Sequence, residues 1–395
     1  MLNKKAIAGF FIIIISFFIS GCWDKVEIDK RIFVSTLGID AGEDIERKEE
    51  IKEIKSNEPF TDNYIKKLRV VYGYPDVSEL KPENGGEARE KNITIDSYSM
   101  EDAYAKGISK SSRDISFGHL KLLILSKDLL QYPDTVKEIV DYLQRESAIT
   151  RDMLVVACDG EVKNYIDFKP DTEKNLHNYI VGLIENSDRN SNIIPVNFNK
   201  FMQEVNEEGN IILPLLTVSK NEKGIELSNS CIIKRFKFDN ILSSSQTSSI
   251  KMLTGKYKSG NKVIYKDGHP VDLLIENAEK KTVLKSKSGE KLNIAINISL
   301  EGQIRGYYLG KEFINKDILK EIEEDFNESI KKELERLMEA TQKKYNADLT
   351  DTGKYLKKYH PSIWNKVKDN WDEIYRDANI EINVKTYIRR IGAIK

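Results

Sequence analysis

Apolar residues recur along this chain with two periods, one typical of strands and one typical of helices, and the two alternate over its first half. The stretch 127–146 carries a helical stripe of apolar residues. The run 119–126 is nearly continuous in apolar residues, as in a strand buried on both faces. Further strand-like runs lie at 32–40, 67–74, 92–98 and 153–158. This alternation predicts an N-terminal α/β domain over residues 22–190, with helices packed on a mixed sheet.

A shorter pattern follows, which predicts a small middle domain over residues 191–240. It begins with apolar residues at helical spacing, namely Phe198, Phe201, Met202 and Val205. Strand-like runs come next at 211–219 and 225–238. The first of these runs contains Pro214, which favours an edge position because proline cannot donate a ladder hydrogen bond.

The most regular pattern lies in the last region, residues 241–395. Alternate residues from Leu292 to Leu300 are apolar, which predicts a strand with one buried face. Apolar residues at three- to four-residue steps from Ile318 to Leu337 predict a long helix.

A second helix is expected to begin at Pro361, with Trp364 and Trp371 on its buried face, and a strand at 380–388 ends the pattern. We expect this region to be an antiparallel-rich sheet with helices on one side. The whole chain is thus predicted to have an α+β (mixed α/β) fold. It would comprise three unlike domains, each a mixed or antiparallel sheet with packed helices, after an N-terminal signal peptide.

The first 22 residues have the layout of a lipoprotein signal peptide. Lys4 and Lys5 precede an apolar run over 6–19, and Ser20, Gly21 and Cys22 follow it. A membrane-spanning helix needs roughly 20 apolar residues, so this run is too short to span. We therefore expect residues 1–21 to be removed by cleavage between Gly21 and Cys22. A lipid on Cys22 would then hold the exported protein on the outer face of a membrane.

The net charge bears on possible partners, and the cysteine content bears on a possible disulfide. The formal net charge is −1 although 32% of the residues are charged, so nothing points to nucleic acid as a partner. Beyond Cys22 the chain has only Cys158 and Cys231. A buried, inert thiol is the default interpretation of the apolar run that ends at Cys158. An exported protein can also join two such cysteines in a disulfide, and the sequence does not settle this.

Motifs for catalysis, metal binding or phosphate binding are missing from the sequence. The acidic run Glu323-Glu324-Asp325 is expected to be a solvated helix face, because adjacent helical residues point in different directions. Trp364 and Trp371 could line a ligand groove, although helix-core packing is the simpler interpretation. His119, His177, His269 and His360 lie far apart in sequence. We expect no enzyme and no cofactor.

Several short motifs together resemble the Ger(x)C family, the C subunits of spore germinant receptors. They are Gly21-Cys22-Trp23-Asp24, Glu27-Ile28, Leu37-Gly38-Ile39-Asp40, Phe236 with Leu253-Thr254-Gly255-Lys256, and Tyr355 through His360-Pro361 to Trp371. The resemblance implies a lipoprotein on the outer face of the inner spore membrane. It would act beside membrane-embedded A- and B-type subunits that respond to nutrients, without catalytic activity. Whether a small molecule binds this subunit is left open.

Two other function classes remain at this point. A solute-binding lipoprotein of a transporter would need two similar lobes with a ligand cleft between them. A surface hydrolase would need acids or histidines gathered in one pocket.

Overall fold

The structure is a computed structural model that describes residues 30–47, 65–76, 89–170, 175–207, 209–219, 224–285, 291–307 and 316–391, with isolated positions 50, 53, 55, 57, 172 and 173. The predicted signal peptide, Gly21 and Cys22 lie outside the described residues.

Strands make up two main sheets and one short pair. They are β1 (Arg31–Phe33), β2 (Thr36–Ala41), β3 (Leu68–Asp76), β4 (Arg89–Ser97), β5 (Asp114–Ser116), β6 (Leu122–Ser126), β7 (Leu154–Cys158), β8 (Asn210–Val218), β9 (Ile225–Lys234), β10 (Lys237–Leu242), β11 (Gly260–Lys266), β12 (His269–Leu284), β13 (Asn293–Tyr307) and β14 (Asn379–Ile391).

Helices cover the faces of these sheets. They are α1 (Met100–Lys110), α2 (Pro133–Arg145), α3 (Val162–Ile166), α4 (Leu176–Asn186), α5 (Phe198–Glu207), α6 (Ser244–Thr254), α7 (Lys316–Glu339), α8 (Thr352–Tyr359), α9 (Pro361–Val367) and α10 (Trp371–Asp377).

The larger sheet has the strand order β10-β9-β8-β7-β6-β2-β3-β4. Within this series β2, β6, β7 and β8 run parallel to one another, and the remaining pairs are antiparallel. All five residues of β6 are buried, which confirms the predicted strand with two covered faces. Helices α1, α2 and α5 pack on one face, and α3 and α4 pack on the other.

The smaller sheet has the order β11-β12-β13-β14, antiparallel except for the parallel pair β13 and β14. Helix α7 buries Ile322, Phe326, Ile330 and Leu334 in its core, as the sequence pattern predicts. The same core contains Ile212 and Ile232 of the larger sheet. The two sheets are therefore joined by continuous apolar packing, and the fold class is the mixed α/β class that the sequence predicts.

The predicted division at residue 190 falls within this larger sheet. Strands β8 to β10, which begin in the predicted middle region, extend the sheet that β2 to β7 begin. The three-domain division stays a prediction. The two sheets differ in strand number and direction, so the described part of the chain lacks the two similar lobes that a solute-binding lipoprotein requires.

Two strand predictions in this region are wrong. Pro214 lies in β8, which is an interior strand and not the predicted edge strand. The proline is tolerated there because β8 pairs with β7 only at Leu215 and Leu216, after the proline. The run 225–238 contains a hairpin turn at Arg235 and Phe236, whose φ angles of 47° and 69° are both positive. Such turns normally contain glycine or asparagine, and the sequence therefore carries no signal for this one.

The helix predicted from Pro361 is also divided. It comprises α9, a 3₁₀ turn over Lys368–Asn370, and α10. Trp364 and Trp371 are only half-buried, and Tyr375 is the buried residue of this segment. The predicted buried face is nevertheless kept across the 3₁₀ turn, because Trp364 and Trp371 are shielded while residues 365–366, 368–370 and 372–373 are exposed.

Candidate functional site

The segment Asp348 to Gly353 is fixed by one carboxylate. Asp348 accepts hydrogen bonds from the backbone N–H groups of Thr350 (3.1 Å), Thr352 (3.2 Å) and Gly353 (2.6 Å). Burial raises the pKa of Asp348, and these bonds oppose that rise. The N-terminal end of α8 is thereby held in one conformation, with Asp351 at a positive φ of 59°.

Asp351 and Lys354 belong to a chain of ion pairs that joins three parts of the fold. Lys256, just after α6, lies 2.8 Å from Asp351, and Lys354 lies 3.2 Å from the same carboxylate. Lys354 also lies 3.1 Å from Glu204 on α5. Burial would raise the pKa of Asp351, but the two ammonium groups outweigh it and lower that pKa below its usual range. The chain of ion pairs therefore connects the larger sheet to the smaller one.

A small cavity of about 50 Å³ lies against these ion pairs, between α5, α6 and the Asp348–Gly353 segment. Lys200 lines it, and burial lowers the pKa of this lysine. The cavity is of a size for water molecules rather than for an organic ligand.

Beside the ion pairs lies an open cleft of about 790 Å³, lined by α5, the β9–β10 turn, α9 and α10. Trp364 and Trp371 meet in it edge to face, with ring centroids 5.3 Å apart. Gly353 makes this packing possible, because a Cβ atom there would lie 3.0 Å from the Trp371 ring. Arg235 and Asp372 approach to 3.8 Å across the cleft.

Trp364 and Trp371 therefore fit both interpretations of the sequence, helix-core packing and the lining of a groove. Each is half-buried against its neighbours, and each also lines the cleft. Glu204, Asp348, Asp351 and Lys354 are among the site residues that sequence reasoning missed. Only the run Asp348-Leu349-Thr350-Asp351-Thr352-Gly353 carried a local signal, since such residues favour helix N-terminal caps.

The acidic residues Glu323, Glu324 and Asp325 of α7 do not form a pair of neighbouring carboxylates. Glu323 accepts the backbone N–H of Ile388 at 2.7 Å, Asp325 binds Lys266, and Glu324 is exposed. The three side chains thus point in different directions, as predicted, but only Glu324 lies on a solvated face, because Glu323 and Asp325 are partly buried. Among the described residues, no group of three or more His, Cys, Asp or Glu side chains is suited to hold a metal ion.

The histidines have separate surroundings. His119 packs on Phe33 with ring centroids 4.7 Å apart, and His360 lies 3.1 Å from the Tyr355 hydroxyl through Nε2. Burial lowers the pKa of His177. His269 begins β12 and is exposed.

Cys158 and Cys231 are both free thiols and both buried. They contribute to cores on opposite faces of the larger sheet. Burial raises the pKa of each thiol, that of Cys231 to about 12. The structure thus has two inert thiols in place of the disulfide that the sequence left open.

The motif Leu37 to Asp40 has a packing role. A Cβ atom on Gly38 would lie 2.0 Å from Cγ1 of Val162, so only glycine lets α3 approach β2 this closely. Both carboxylate oxygens of Asp40 accept the backbone N–H of Val162, at 3.1 Å each. Burial raises the pKa of Asp40 to about 6.

Two family models match the chain in succession. Residues 24–218 match the "Spore germination protein N-terminal domain", and residues 228–392 match "Spore germination B3/GerAC like, C-terminal". The chain belongs to the GerAC family of spore germination proteins. The residues of the ion-pair chain and the cleft come from both matched regions.

Relatives in this family extend over nearly the same length. Spore germination protein YndF of Bacillus subtilis (strain 168) is 22% identical over 95% of this chain and 94% of its own. Spore germination protein B3 of the same organism is 21% identical over 95% of both chains. Spore germination protein KC, also of that organism, is 21% identical over 98% of this chain and 96% of its own.

The fold is shared with a solved structure, the crystal structure of the GerBC protein. The two superpose with a TM-score of 0.59 at 18% identity, over 82% of this chain and 93% of GerBC. Within the ranges described above, no helix of this GerAC-family chain is long and apolar enough to cross a membrane.

Proposed function

We propose that this GerAC-family protein is the lipid-anchored C-type subunit of a nutrient germinant receptor. Cys22 carries the lipid, and the folded body lies on the outer face of the inner spore membrane. The protein works through contacts with membrane-embedded A- and B-type subunits, without catalysis, cofactor or nucleic acid.

The observation that carries the proposal is the extent of the family match. The N-terminal model begins at Asp24, two residues after Cys22 in the Ile19-Ser20-Gly21-Cys22 sequence. The family match therefore begins where the mature lipoprotein would begin. A lipid at Cys22 would be separated from β1 by only the residues between them, so the folded body would be held close to the bilayer.

The state of the polar side chains supports a role without catalysis. Glu323 and Asp348 both accept backbone N–H groups, and Asp351 is neutralised by two lysines. Each of these carboxylates is thus used to hold the fold together.

The cleft that contains Trp364 and Trp371 is the surface that we assign to the partner subunits. Half-buried tryptophans beside Arg235 and Arg376 match the residue types that are enriched at protein interfaces. The cleft is lined both by α5 and the β9–β10 turn and by α9 and α10, so a partner bound there would contact elements from both halves of the chain.

A Cys22→Ala strain tests the anchor. We expect the variant protein to be lost from the spore membrane fraction and nutrient germination to fall, while Cys158→Ala leaves membrane retention unchanged. Retention of the Cys22→Ala protein on membranes would contradict the lipid anchor. Full germination after release of the protein would contradict the need for anchoring. Copurification with the A- and B-type subunits tests the partner assignment separately.

A further inference from the structure

We propose that the helix pair α8–α9 is a second membrane contact, which binds the headgroups of an anionic bilayer. This inference rests on the proposed placement of the protein at a membrane. We call the part concerned the α8–α9 surface and define it by the exposed residues Lys358, Tyr359, Pro361, Ser362, Lys366 and Lys368.

The local charge is the first observation. From Thr352 to Lys368 the chain has five lysines and no acidic residue, although the chain as a whole has a net charge of −1. The five lysines are Lys354, Lys357, Lys358, Lys366 and Lys368. Such a local excess of one sign would attract anionic lipid headgroups.

Three of these lysines have no acidic partner in the described part of the chain. Lys354 binds Glu204 and Asp351, and Lys357 lies 3.7 Å from Glu207. Lys358, Lys366 and Lys368 form no ion pair with any residue that the structure describes. By contrast, three lysines of α7 and the turn after it are paired within their own helix: Lys331 with Glu335, Lys332 with Glu328 and Lys343 with Glu339.

An exposed aromatic residue accompanies the charges. Tyr359 is 60% exposed, and the Lys358 ammonium group lies 5.1 Å from its ring centroid. A tyrosine ring combines an apolar body with a polar tip, which suits the boundary between headgroups and acyl chains. Proline and serine at 361 and 362 continue this exposed surface without any negative charge.

Topology places this surface at the same edge of the larger sheet as the anchored end of the chain. Thr36, Leu122 and Leu154 are register partners at the amino ends of parallel strands, and β8 begins at that edge. Helix α5 ends three residues before β8, at Glu207, which pairs with Lys357 of α8. β2 and β8 are separated by three strand spacings, about 15 Å in total.

The length of chain between Cys22 and β1 permits contact at both points. From Cys22 to Arg31 the chain can extend by at most about 30 Å. A lipid anchor and a basic surface together hold a protein on a membrane more firmly than either does alone. The α8–α9 surface would therefore fix the orientation of the body and hold the tryptophan cleft, which Lys368 also lines, next to the membrane.

Vesicle binding of the mature chain with Cys22→Ala tests this inference. That chain keeps every residue that the structure describes, but it lacks the lipid anchor. We expect it to co-sediment with vesicles of phosphatidylglycerol and phosphatidylcholine, and not with phosphatidylcholine alone. Binding should weaken as salt is added.

The deciding variant carries Lys358→Gln, Lys366→Gln and Lys368→Gln together. Each lysine near an anionic surface contributes roughly a fivefold gain in partitioning, so the triple variant should bind about a hundredfold more weakly. The matched control replaces Lys331, Lys332 and Lys343 by glutamine, which removes the same charge from α7 and the turn after it. Circular dichroism checks that both variants are folded.

Equal losses in the two triple variants would overturn the inference, because net charge alone would then explain the binding. The absence of any preference for phosphatidylglycerol would also overturn it, and an acidic protein partner would then have to account for the basic surface. Neither result bears on Cys22, whose lipidation is tested in the strain described above. Failure of the anchor and failure of this surface are thus separate outcomes.

Discussion

The carboxylate of Asp40 at the end of β2 accepts the N–H of Val162 at the start of α3, and the two residues are 122 positions apart. This contact closes the third helix onto the sheet. The acceptor is a buried carboxylate whose pKa is raised to about 6, although a neutral acceptor could also bind this N–H group. Its contribution to stability must therefore depend on pH.

Asp40→Asn should remove this dependence. Burial raises the pKa of Asp40 in the folded protein above its value in the unfolded chain, so the folded state binds the proton more tightly. The free energy of unfolding of the wild type should thus fall as pH rises through the range from about 4 to about 6. The free energy of unfolding of Asp40→Asn should not fall over this range. By pH 7 the variant should therefore have gained stability relative to the wild type, by on the order of 1–3 kcal/mol.

Urea unfolding of both proteins at pH 4.5 and pH 7 measures the difference. Glu90, whose pKa burial also raises, is present in both proteins, so its effect cancels in the comparison. A constant difference between wild type and variant at the two pH values would show that Asp40 does not titrate in this range.

Gly38→Ala should destabilise the protein by about 1–3 kcal/mol, because the added methyl group would overlap the Val162 side chain. Gly182→Ala is the matched control. Gly182 lies in α4, and an alanine methyl group there would have nothing within 4 Å, so this change should stabilise the helix by up to about 1 kcal/mol. Thermal unfolding of the two variants should give shifts of opposite sign, and a tolerated Gly38→Ala would mean that α3 can move away from β2.

The sequence predicts those parts of this fold whose signals are local. Ser243 caps α6 together with Gln246, and Gly255 ends it in the left-handed conformation, as residues of these types favour. The ion pair between Lys256 and Asp351 joins residues 95 positions apart, so no local sequence pattern predicts it. The turn at Arg235 and Phe236 is missed for a different reason, since tertiary packing of Phe236 on Phe201 supports an unusual turn residue.

The ion pair between Glu204 and Lys354 should show measurable coupling in a double-mutant cycle. The side chains are 20% and 37% exposed, so solvent screens the pair only in part. For Glu204→Gln and Lys354→Gln we expect a coupling free energy of about 1 kcal/mol, reduced by high salt.

Urea unfolding of the four proteins in that cycle supplies the measurement. The exposed pair of Lys332 and Glu328 on α7 is the control, with an expected coupling of at most about 0.5 kcal/mol. Equal coupling in the two cycles would indicate that the pair at the junction of the sheets is no better shielded from solvent than a surface pair.

Charge reversal in the tryptophan cleft should separate partner binding from folding. Arg235 and Arg376 line the cleft and are exposed, so Arg235→Glu with Arg376→Glu should leave the unfolding midpoint nearly unchanged. If the cleft receives the membrane-embedded subunits, copurification with them should fall at least tenfold, as expected when interface arginines are lost. Arg145→Glu on α2 is the control, because Arg145 is exposed, pairs with Asp141 and lies outside the cleft. An equal loss with Arg145→Glu would indicate a general charge effect, and normal copurification of the cleft variant would place the partner contact elsewhere on the molecule.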